Sequence, residues 1–411
     1  MANSLVTIDM VTREALRIAH EKCQFIGTTD LQYDSSYANA GAKIGSTLRV
    51  RRPNQYVRTQ GSRVMDVKDQ NESTSSIVVA TQDHVDMRFN SAELALSIDD
   101  LSKRYIDPAM SVLVSGIESD YIAASTKATY NVAGTAGTPP ADLDAVGAAR
   151  AKINQGLAPK DGNRYIQCDS ITMGKVVNGL RGLFQDSTQI KEQYREGMVG
   201  RTAMADWYEN DRMWTMTNGS DVTGTTDAAS LVTDGGSTVD MHTTVAVTAV
   251  NVGQVFTISG VFACHPETKA LLPGSPLQQF TITAIGASTV TVAPAIYLGL
   301  STTTEAKQNV CSSTGAKLAL TDFNSKTLTF VGGASTSYVQ NLMYHKEAFQ
   351  FVTADLPIMD DAAKCVRRVQ DGLSLRVWQA SDIRNDELLM RIDILYGFAA
   401  LRPEWACRIT S

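Results

Sequence analysis

The middle of the chain alternates apolar and polar residues in five short runs. A period of two is typical of β-strands that bury one face and expose the other. The runs cover residues 245–250, 254–259, 279–285, 289–293 and 327–331. Glycines suited to turns lie between or beside them, among them Gly253, Gly260 and Gly286. About six strands in roughly 115 residues predict a small barrel or sandwich.

A different period, with apolar residues three and four positions apart, predicts a long helix that begins at Asp107. Asp107 suits the N-cap, and Pro108 suits the first helical position. The apolar stripe contains Met110, Leu113, Val114, Ile117, Tyr121 and Ala124. The pattern ends near Lys127, and roughly twenty residues make a rod of about 30 Å.

Residues 5–26 carry a shorter helical stripe, formed by Val11, Ala15, Ile18 and Ala19. Two interpretations remain open: an ordinary amphipathic helix, or an arm that binds a partner. Similar patterns predict a helix at 141–155 and strands at 164–168, 339–353, 373–379 and 388–396.

Arginine usage divides the chain. All 22 arginines lie outside residues 213–366, where an even spread would place about eight. Such a break in composition marks a separate folding unit. The sequence therefore predicts a β-rich domain inserted at 215–337 into a host domain, and this insertion is expected to fold alone.

Net charge and cysteine usage restrict the classes of function. The formal net charge is −6, which disfavours a dedicated nucleic-acid binder because phosphates require a basic surface. The six cysteines are widely spaced, without a Cys-x-x-Cys pair, which indicates reduced thiols in a cytosolic type of environment. The longest uncharged stretch, residues 241–266, is interrupted by polar residues and does not predict a membrane span.

Residues 35–65 are basic and contain no acid. The alternation at residues 47–51 predicts a strand with its basic side chains on one face, continued at 56–58. Strands of mixed charge between 77 and 96 could complete a long two-stranded excursion. An acidic surface of a neighbouring subunit is favoured over nucleic acid as the partner of this face. The predicted contact residues are Arg49, Arg51, Arg52, Arg58 and Arg63.

Four aspartates without a nearby base lie in a Gly/Ser/Thr-rich stretch: Asp221, Asp227, Asp234 and Asp240. Their spacing is not that of a calcium loop, so an exposed acidic loop is predicted and not a metal site. The nucleophile elbow, the dinucleotide and phosphate loops and the His-Glu-x-x-His motif are all absent from the sequence. The cluster of His84 with Asp83 and Asp86 is better explained by a solvated charged strand. No enzyme, cofactor or metal is predicted.

Two segments, together with part of the proposed insertion, resemble a known family. Residues 391–404 (RIDILYGFAALRPE) combine an apolar strand, Tyr-Gly and Arg-Pro-Glu, and residues 192–197 (EQYREG) lead into Met204–Trp207. Within the proposed insertion, residues 254–261 and 280–294 have a similar strand pattern. In this order the segments resemble the major capsid (coat) proteins of short-tailed, lambdoid-type bacteriophages.

The resemblance implies an α+β fold, namely the tailed-phage major-capsid fold with an inserted all-β barrel domain. Its parts would be an N-terminal arm (1–34), an extended loop (35–95), the spine helix with the first part of the peripheral domain (96–214), the insertion (215–337) and a return to the host (338–411). Crosslinking relatives of this fold use Lys, Asn and a catalytic Glu, and no such trio is matched here.

The resemblance also implies a function. The chain would assemble as hexamers and pentamers into the icosahedral head of a virion, through a scaffolded procapsid that expands on DNA packaging. Its partners would be further copies of itself, a scaffolding protein and a portal protein, with double-stranded DNA enclosed without specific binding. A decoration protein is compatible with this scheme, a membrane is not part of it, and assembly would take place in the bacterial host cytoplasm. Charge reversal at Arg51, Arg52 and Arg58 should then block shell formation.

Two other classes of function remain as alternatives. One is a β-rich binding or adhesion module in which the Thr-rich insertion presents the binding surface. The other is an unrecognised enzyme, which no motif supports. A monomeric full-length protein would favour the adhesion module.

Overall fold

The computed structural model describes residues 8–34, 47–61, 65, 74–90, 102–180, 200–228, 230–241, 249–358, 364–370, 372–382, 385 and 387–411. The predicted strand at 245–250 lies mostly outside these residues, as does the family-like segment 192–197.

Five α-helices are found in the described residues. They are α1 (Ile8–Lys22), α2 (Phe25–Thr28), α3 (Asp107–Ala128), α4 (Asp144–Gln155) and α5 (Ser170–Leu180). The helices predicted at 5–26, from Asp107 and at 141–155 are confirmed as α1, α3 and α4, whereas α5 was not predicted. The predicted stripes of α1 and α3 are buried in the folded chain, apart from Ala124, which is partly exposed. α1 therefore buries its apolar stripe against its own chain, and its role as an arm stays a prediction.

The strands, numbered along the chain, form three larger sheets and one two-stranded sheet. The chain divides into two compact units, the first of which comprises Met1–Val50, Ser75–Ile122 and Phe349–Leu401. It contains a six-stranded sheet made of β1 (Asp30–Asp34), β4 (Thr81–Asn90), β18 (Phe349–Ala354), β19 (Lys364–Gln370), β20 (Leu373–Asp382) and β21 (Glu387–Ala400). The strands predicted at 373–379 and 388–396 are confirmed as β20 and β21.

Aromatic side chains join α3 to this sheet. The Tyr121 ring lies 5.4 Å from the Phe351 ring and 5.2 Å from the Phe398 ring, measured between centroids. Phe25 approaches Tyr121 from the other side at 4.8 Å. Aromatic pairs at such separations stabilise the fold by more than the burial of their apolar surface alone.

β4 corrects one sequence prediction. The strand pairs with β21 over its whole length, from Thr81 opposite Tyr396 to Asn90 opposite Glu387. The hypothesis of one long excursion is therefore wrong for residues 81–90. Of the predicted excursion, only β2 (Thr47–Arg51) and β3 (Thr74–Val78) form a separate two-stranded sheet.

The second unit comprises Arg51–Thr74, Ala123–Ala348 and Arg402–Ser411. Its seven-stranded inserted sheet contains β10 (Thr223–Thr225), β11 (Gly236–Asp240), β12 (Val255–Ala263), β13 (Leu277–Ile285), β14 (Thr289–Ile296), β15 (Val310–Cys311) and β16 (Thr327–Phe330). The runs predicted at 254–259, 279–285, 289–293 and 327–331 are confirmed. The apolar core of this sheet consists of 18 buried residues, all between Val232 and Phe330.

A third sheet, also of seven strands, belongs to the same unit. Its strands are β5 (Val132–Ala133), β6 (Arg164–Cys168), β7 (Arg201–Thr202), β8 (Ala205–Glu209), β9 (Thr215–Thr217), β17 (Ser337–His345) and β22 (Ala406–Thr410). β17 lies between β6 and β22 and also pairs with β9. A second apolar core, which includes Ile166, Trp207, Met343 and Ile409, packs α4 and α5 against this sheet.

Polar contacts connect the inserted sheet to the elements around it. Gln279 of β13 accepts hydrogen bonds at Oε1 from the Val132 backbone N–H (2.8 Å) and from Lys152 Nζ (2.6 Å). Thr281 Oγ1 donates to the Lys127 carbonyl over 3.0 Å. The polar positions of β13 therefore contact the host and do not all face water.

Arg408 of β22 lies at the centre of this junction, and 1% of it is exposed. Its guanidinium donates to the carbonyl oxygens of Lys127 (3.1 Å) and Thr129 (2.6 Å), at the end of α3. It also donates to the Gly253 carbonyl (2.6 Å) and to Thr281 Oγ1 (2.9 Å) of the inserted sheet. One side chain thus joins three elements that are far apart in sequence.

We expect Arg408→Leu to lower the free energy of unfolding by about 3 kcal/mol or more, because buried acceptors would lose their donor. Urea unfolding of the unassembled protein measures this loss. Arg408→Lys should cost less, since it keeps the charge but not the planar fork. Arg201→Leu is the matched control because Arg201 forms an exposed pair with Asp206, worth about 1 kcal/mol or less. Equal losses for Arg408→Leu and Arg201→Leu would contradict the prediction.

Candidate assembly surfaces

The basic strand predicted at 47–51 is confirmed as β2. Arg49 and Arg51 point to the exposed face, whereas Leu48 and Val50 pack against a core that includes Val352. Alternation along the strand therefore anchors one face and turns the arginines outward. Within the described residues, no ion pair involves Arg49.

The strand does not continue to 56–58 as predicted, because the extended ladder ends at Arg51. Pro53 follows two residues later and has no backbone N–H to donate to a partner strand. Arg58 is exposed and forms no ion pair in the described part of the chain, and 65% of Tyr56 is exposed. Arg63 lies outside the described residues.

Arg52 differs from its neighbours because it is half-buried and acts within its own chain. Burial raises the pKa of Glu404, and the nearby Arg52 guanidinium opposes this rise. Burial and Glu404 also raise the pKa of Tyr130, again opposed by Arg52. Arg52 thus offsets the negative charge of Glu404 in the half-buried Arg-Pro-Glu segment. Its participation in a contact between subunits stays a prediction.

The structure does not place the four aspartates in one exposed loop. Asp240, at the end of β11, is 4% exposed. Its Oδ1 accepts hydrogen bonds from Ser230 Oγ (2.7 Å) and Leu231 N (3.0 Å), and its Oδ2 accepts one from Asp227 N (3.1 Å). In the described ladder, β10 and β11 are the two ends of the inserted sheet. Asp240 links these ends through the connection between them.

Asp234 is also engaged within the chain. Its carboxylate accepts hydrogen bonds from the backbone N–H groups of Leu298 (2.8 Å) and Leu300 (2.9 Å) and from Thr304 Oγ1 (2.5 Å). Burial raises the pKa of Asp234, but these hydrogen bonds outweigh burial and hold the pKa below its ordinary value. The prediction of exposure is therefore wrong for Asp240 and only partly right for Asp234.

The carboxylates of Asp221 and Asp227 remain accessible to water. Asp227 is exposed, and Asp221 is half-buried. Asp221 Oδ1 accepts hydrogen bonds from the N–H and the hydroxyl of Thr223, both at 2.9 Å, which lower its pKa. Such a turn leaves most of the carboxylate in water. Sequence patterns cannot distinguish these solvated aspartates from the two that satisfy backbone donors.

Buried carboxylates were missed in the sequence, and Glu118 is one of them. Glu118 of α3 is 0% exposed, and its Oε1 accepts hydrogen bonds from the N–H groups of Gln24 and Phe25, both at 2.6 Å. Asp9 of α1 accepts from Arg368 Nε over 2.6 Å. The segment that contains α1 and α2 is thus held by charge-assisted hydrogen bonds. The available signal was a charged residue next to the predicted apolar stripe of α3.

No group of three or more His, Cys, Asp or Glu side chains suited to a metal ion occurs among the described residues. His84, which the sequence predicts to lie on a solvated charged strand, is exposed on β4, with Nδ1 3.0 Å from the Asp86 carboxylate. In the same residues, no helix is long and apolar enough to cross a membrane.

Comparison with known families gives one family match. The family model described as "P22 coat protein - gene protein 5" matches residues 39–408. The match spans the basic strand, α3, the inserted sheet and the return to the host sheets. A comparison with curated proteins gave no match.

Several solved capsid structures are similar over most of the chain. The capsid of Ralstonia phage GP4 is 8% identical, covers 95% of this chain and 90% of its own, and has a TM-score of 0.45. The mature capsid of bacteriophage PhiM1 is 11% identical, with 94% and 86% covered and a TM-score of 0.43. The capsid of cyanophage P-SCSP1u is 12% identical, with 93% and 86% covered and a TM-score of 0.43.

We expect Asp240→Asn to lower the free energy of unfolding by about 1–3 kcal/mol, because an amide NH₂ cannot accept one of the three hydrogen bonds. Thermal and urea unfolding of the unassembled protein measure this change. Asp227→Asn, at an exposed site, should change stability by less than about 0.5 kcal/mol. A stable Asp240→Asn variant would show that the link between the sheet ends is dispensable.

We expect a second effect, on pH dependence, from Asp234→Asn. The pKa of Asp234 is lowered from 3.8, so its stabilising contribution is present above that value and is lost as the pH falls through the folded-state pKa. The advantage of the wild type over Asp234→Asn should therefore be largest near neutrality and shrink as the pH falls below about 4. Urea midpoints across this range measure it, with Glu267→Gln as an exposed control. A constant difference at all pH values would contradict the prediction.

Proposed function

This chain belongs to the P22 coat protein family, and from this premise we propose how its surfaces build a shell. It is a structural major capsid protein of a tailed phage, it associates with copies of itself, and its place is the virion. The observation that carries this conclusion is the family match over residues 39–408, which includes both the host elements and the inserted sheet. The same match favours the capsid function over the adhesion module.

The finer assembly scheme is our proposal. Copies form hexamers and pentamers around a scaffolding protein in the bacterial cytoplasm, with a portal at one vertex, and the procapsid expands when DNA enters. Closed shells need repeated contacts that are weak enough singly to correct errors. A catalytic centre is not needed for this role, and we propose none.

The division of the chain follows the same proposal. Residues 1–34 act as the arm, 35–95 as the extended loop, 96–214 and 338–411 as the spine and peripheral domains, and 215–337 as the insertion. The pairing of β4 with β21 shortens this extended loop, because residues 81–90 belong to the host sheet.

We propose that Arg49 and Arg58 supply the main charged contact to a neighbouring copy. Both are exposed, and neither forms an ion pair in the described residues. Arg51 shares the exposed face of β2 and would contribute to the same contact. Rim charges of this kind set the orientation and rate of association more than its final strength.

The insertion contributes a second, acidic contact in this scheme. Asp221 and Asp227 are its outward-facing members, and a basic surface of another copy or of a decoration protein would complement them. Asp234 and Asp240 maintain the fold of the insertion instead. The net charge of −6 supports enclosure of DNA without specific binding, because phosphates are repelled by an acidic protein.

We expect the double variant Arg49→Glu/Arg58→Glu to lower the yield of closed shells at least about tenfold, since like charges placed together at an interface cost several kcal/mol. Electron microscopy and sedimentation of the protein expressed with its scaffolding protein measure the yield. Circular dichroism should show a folded subunit, because neither arginine is buried.

The matched control for this variant is Arg49→Lys/Arg58→Lys, which keeps the charge and should still assemble. Arg52 is left unchanged because its reversal would also place a carboxylate near Glu404 and disturb the subunit itself. Normal shells from the Glu variant would rule out this surface as an essential contact.

A further inference from the structure

The inserted sheet contains two buried cysteines whose thiols lie side by side. Cys264 is 6% exposed and Cys311 is 0% exposed, and both are free thiols. Each thiol affects the pKa of the other, which indicates that the two side chains lie close together. The amide of Gln308 donates to Cys264 Sγ over 3.9 Å, and Cys311 Sγ donates to the Ala263 carbonyl over 3.9 Å. The two cysteines are therefore neighbours in the inserted sheet.

Strand register explains this proximity. β12 pairs with β15 through Ala263 opposite Val310 and Phe262 opposite Cys311. The N–H of Cys264 donates to the Asn309 carbonyl over 3.1 Å, so Cys264 continues this ladder. Cys311 lies two residues beyond Asn309 and projects from the same face, which makes the two cysteines diagonal neighbours. A disulfide between diagonal neighbours requires the backbone to move, and β15, which would have to move, is only two residues long.

The other buried cysteines do not share this geometry. Cys168 belongs to β6 and Cys407 to β22, and both strands pair with β17. A full strand therefore separates them, at roughly 9–10 Å between the outer strands. Cys23 and Cys365 are partly exposed and belong to the other compact unit.

We propose that Cys264 and Cys311 are a redox-dependent crosslinking site, which closes to a disulfide when the protein meets a small-molecule disulfide such as oxidised glutathione. In a reducing cytoplasm the pair stays reduced during assembly, and it closes in particles released to an oxidising medium. This timing rests on the proposed capsid function, whereas the crosslink itself does not.

The reaction balances without a further reagent. Burial raises the pKa of both thiols. The thiolate of either cysteine attacks one sulfur of glutathione disulfide, and the departing glutathione thiolate takes up the proton that the cysteine lost. The other cysteine then attacks the protein sulfur of this mixed disulfide and releases its own proton to the second glutathione. Two protein thiols become one disulfide, and one glutathione disulfide becomes two glutathione molecules.

The bond would enclose β13 and β14 in a covalent ring. A crosslink across a segment of this length restricts the unfolded chain and so stabilises the folded one. The inserted sheet should then withstand conditions that unfold its reduced form. Its apolar core is self-contained, so this stabilisation needs no contact with other subunits.

Peptide mapping tests the proposal on the full-length protein. Between Arg212 and Lys317 trypsin can cleave only after Lys269 and Lys307, which isolates Cys264 in peptide 213–269 and Cys311 in peptide 308–317. After incubation with oxidised glutathione, native or during refolding from urea, mass spectrometry should find these two peptides joined, with two hydrogens lost. The oxidised protein should unfold at higher urea than the reduced protein.

Cys264→Ala and Cys311→Ala should each abolish both the linked peptide and the urea shift, whereas Cys365→Ala should leave both intact. Joined peptides from other cysteines, glutathione adducts alone, or no linked peptide even after refolding would overturn the proposal. Because the readout needs only wild-type subunits, it does not depend on the alanine variants folding. It also does not depend on shell formation, which electron microscopy of the same sample scores separately.

Discussion

The second compact unit depends on a buried cation that has four hydrogen-bond acceptors and no carboxylate among them. Arg408 donates to the carbonyls of Lys127 and Thr129, where the last turn of α3 leaves carbonyl groups without helical partners. Burial lowers the pKa of its guanidinium to about 9, so the side chain is still charged at neutral pH. A cation at this end of a helix also complements the helix dipole. The remaining donors reach Gly253 and Thr281, so the inserted sheet is fixed by the same group.

Polar contacts suit this junction better than apolar ones would. The inserted sheet has its own apolar core. Gln279 and Thr281 then specify one orientation, because hydrogen bonds lose most of their strength when distance or angle changes. A subunit that must present the same surfaces many times over benefits from an insertion whose orientation is defined in this way.

The sequence predicts the helices and strands of this fold better than it predicts the burial and the hydrogen-bond partners of individual side chains. Alternation identified β12, β13, β14 and β16, and the 3.6-residue period identified α3, because each has one apolar and one polar face. β22 was missed since all five of its residues are buried, which leaves no alternation to detect. The arginine-free block extends beyond the insertion, because β17 and β18 lie in it and yet belong to other sheets. Asp240 resembles a loop residue in the sequence, and only the fold reveals the three donors that surround it.

The environment of the arginines in the basic segment could not be predicted from the sequence either. The structure distinguishes the arginine that acts within the subunit from those available for assembly. Five arginines look equivalent in the sequence, yet Arg52 acts on Glu404 and Tyr130 in its own chain while Arg49 and Arg58 remain exposed. Charges that hold the subunit together are buried and surrounded by donors or acceptors, so they are costly to disturb. In the shell that we propose, exposed charges contribute only about 1 kcal/mol or less at each contact, but symmetry repeats that contact at every equivalent interface. Weak contacts of this kind can be broken one at a time during assembly and still favour a closed shell once all are made.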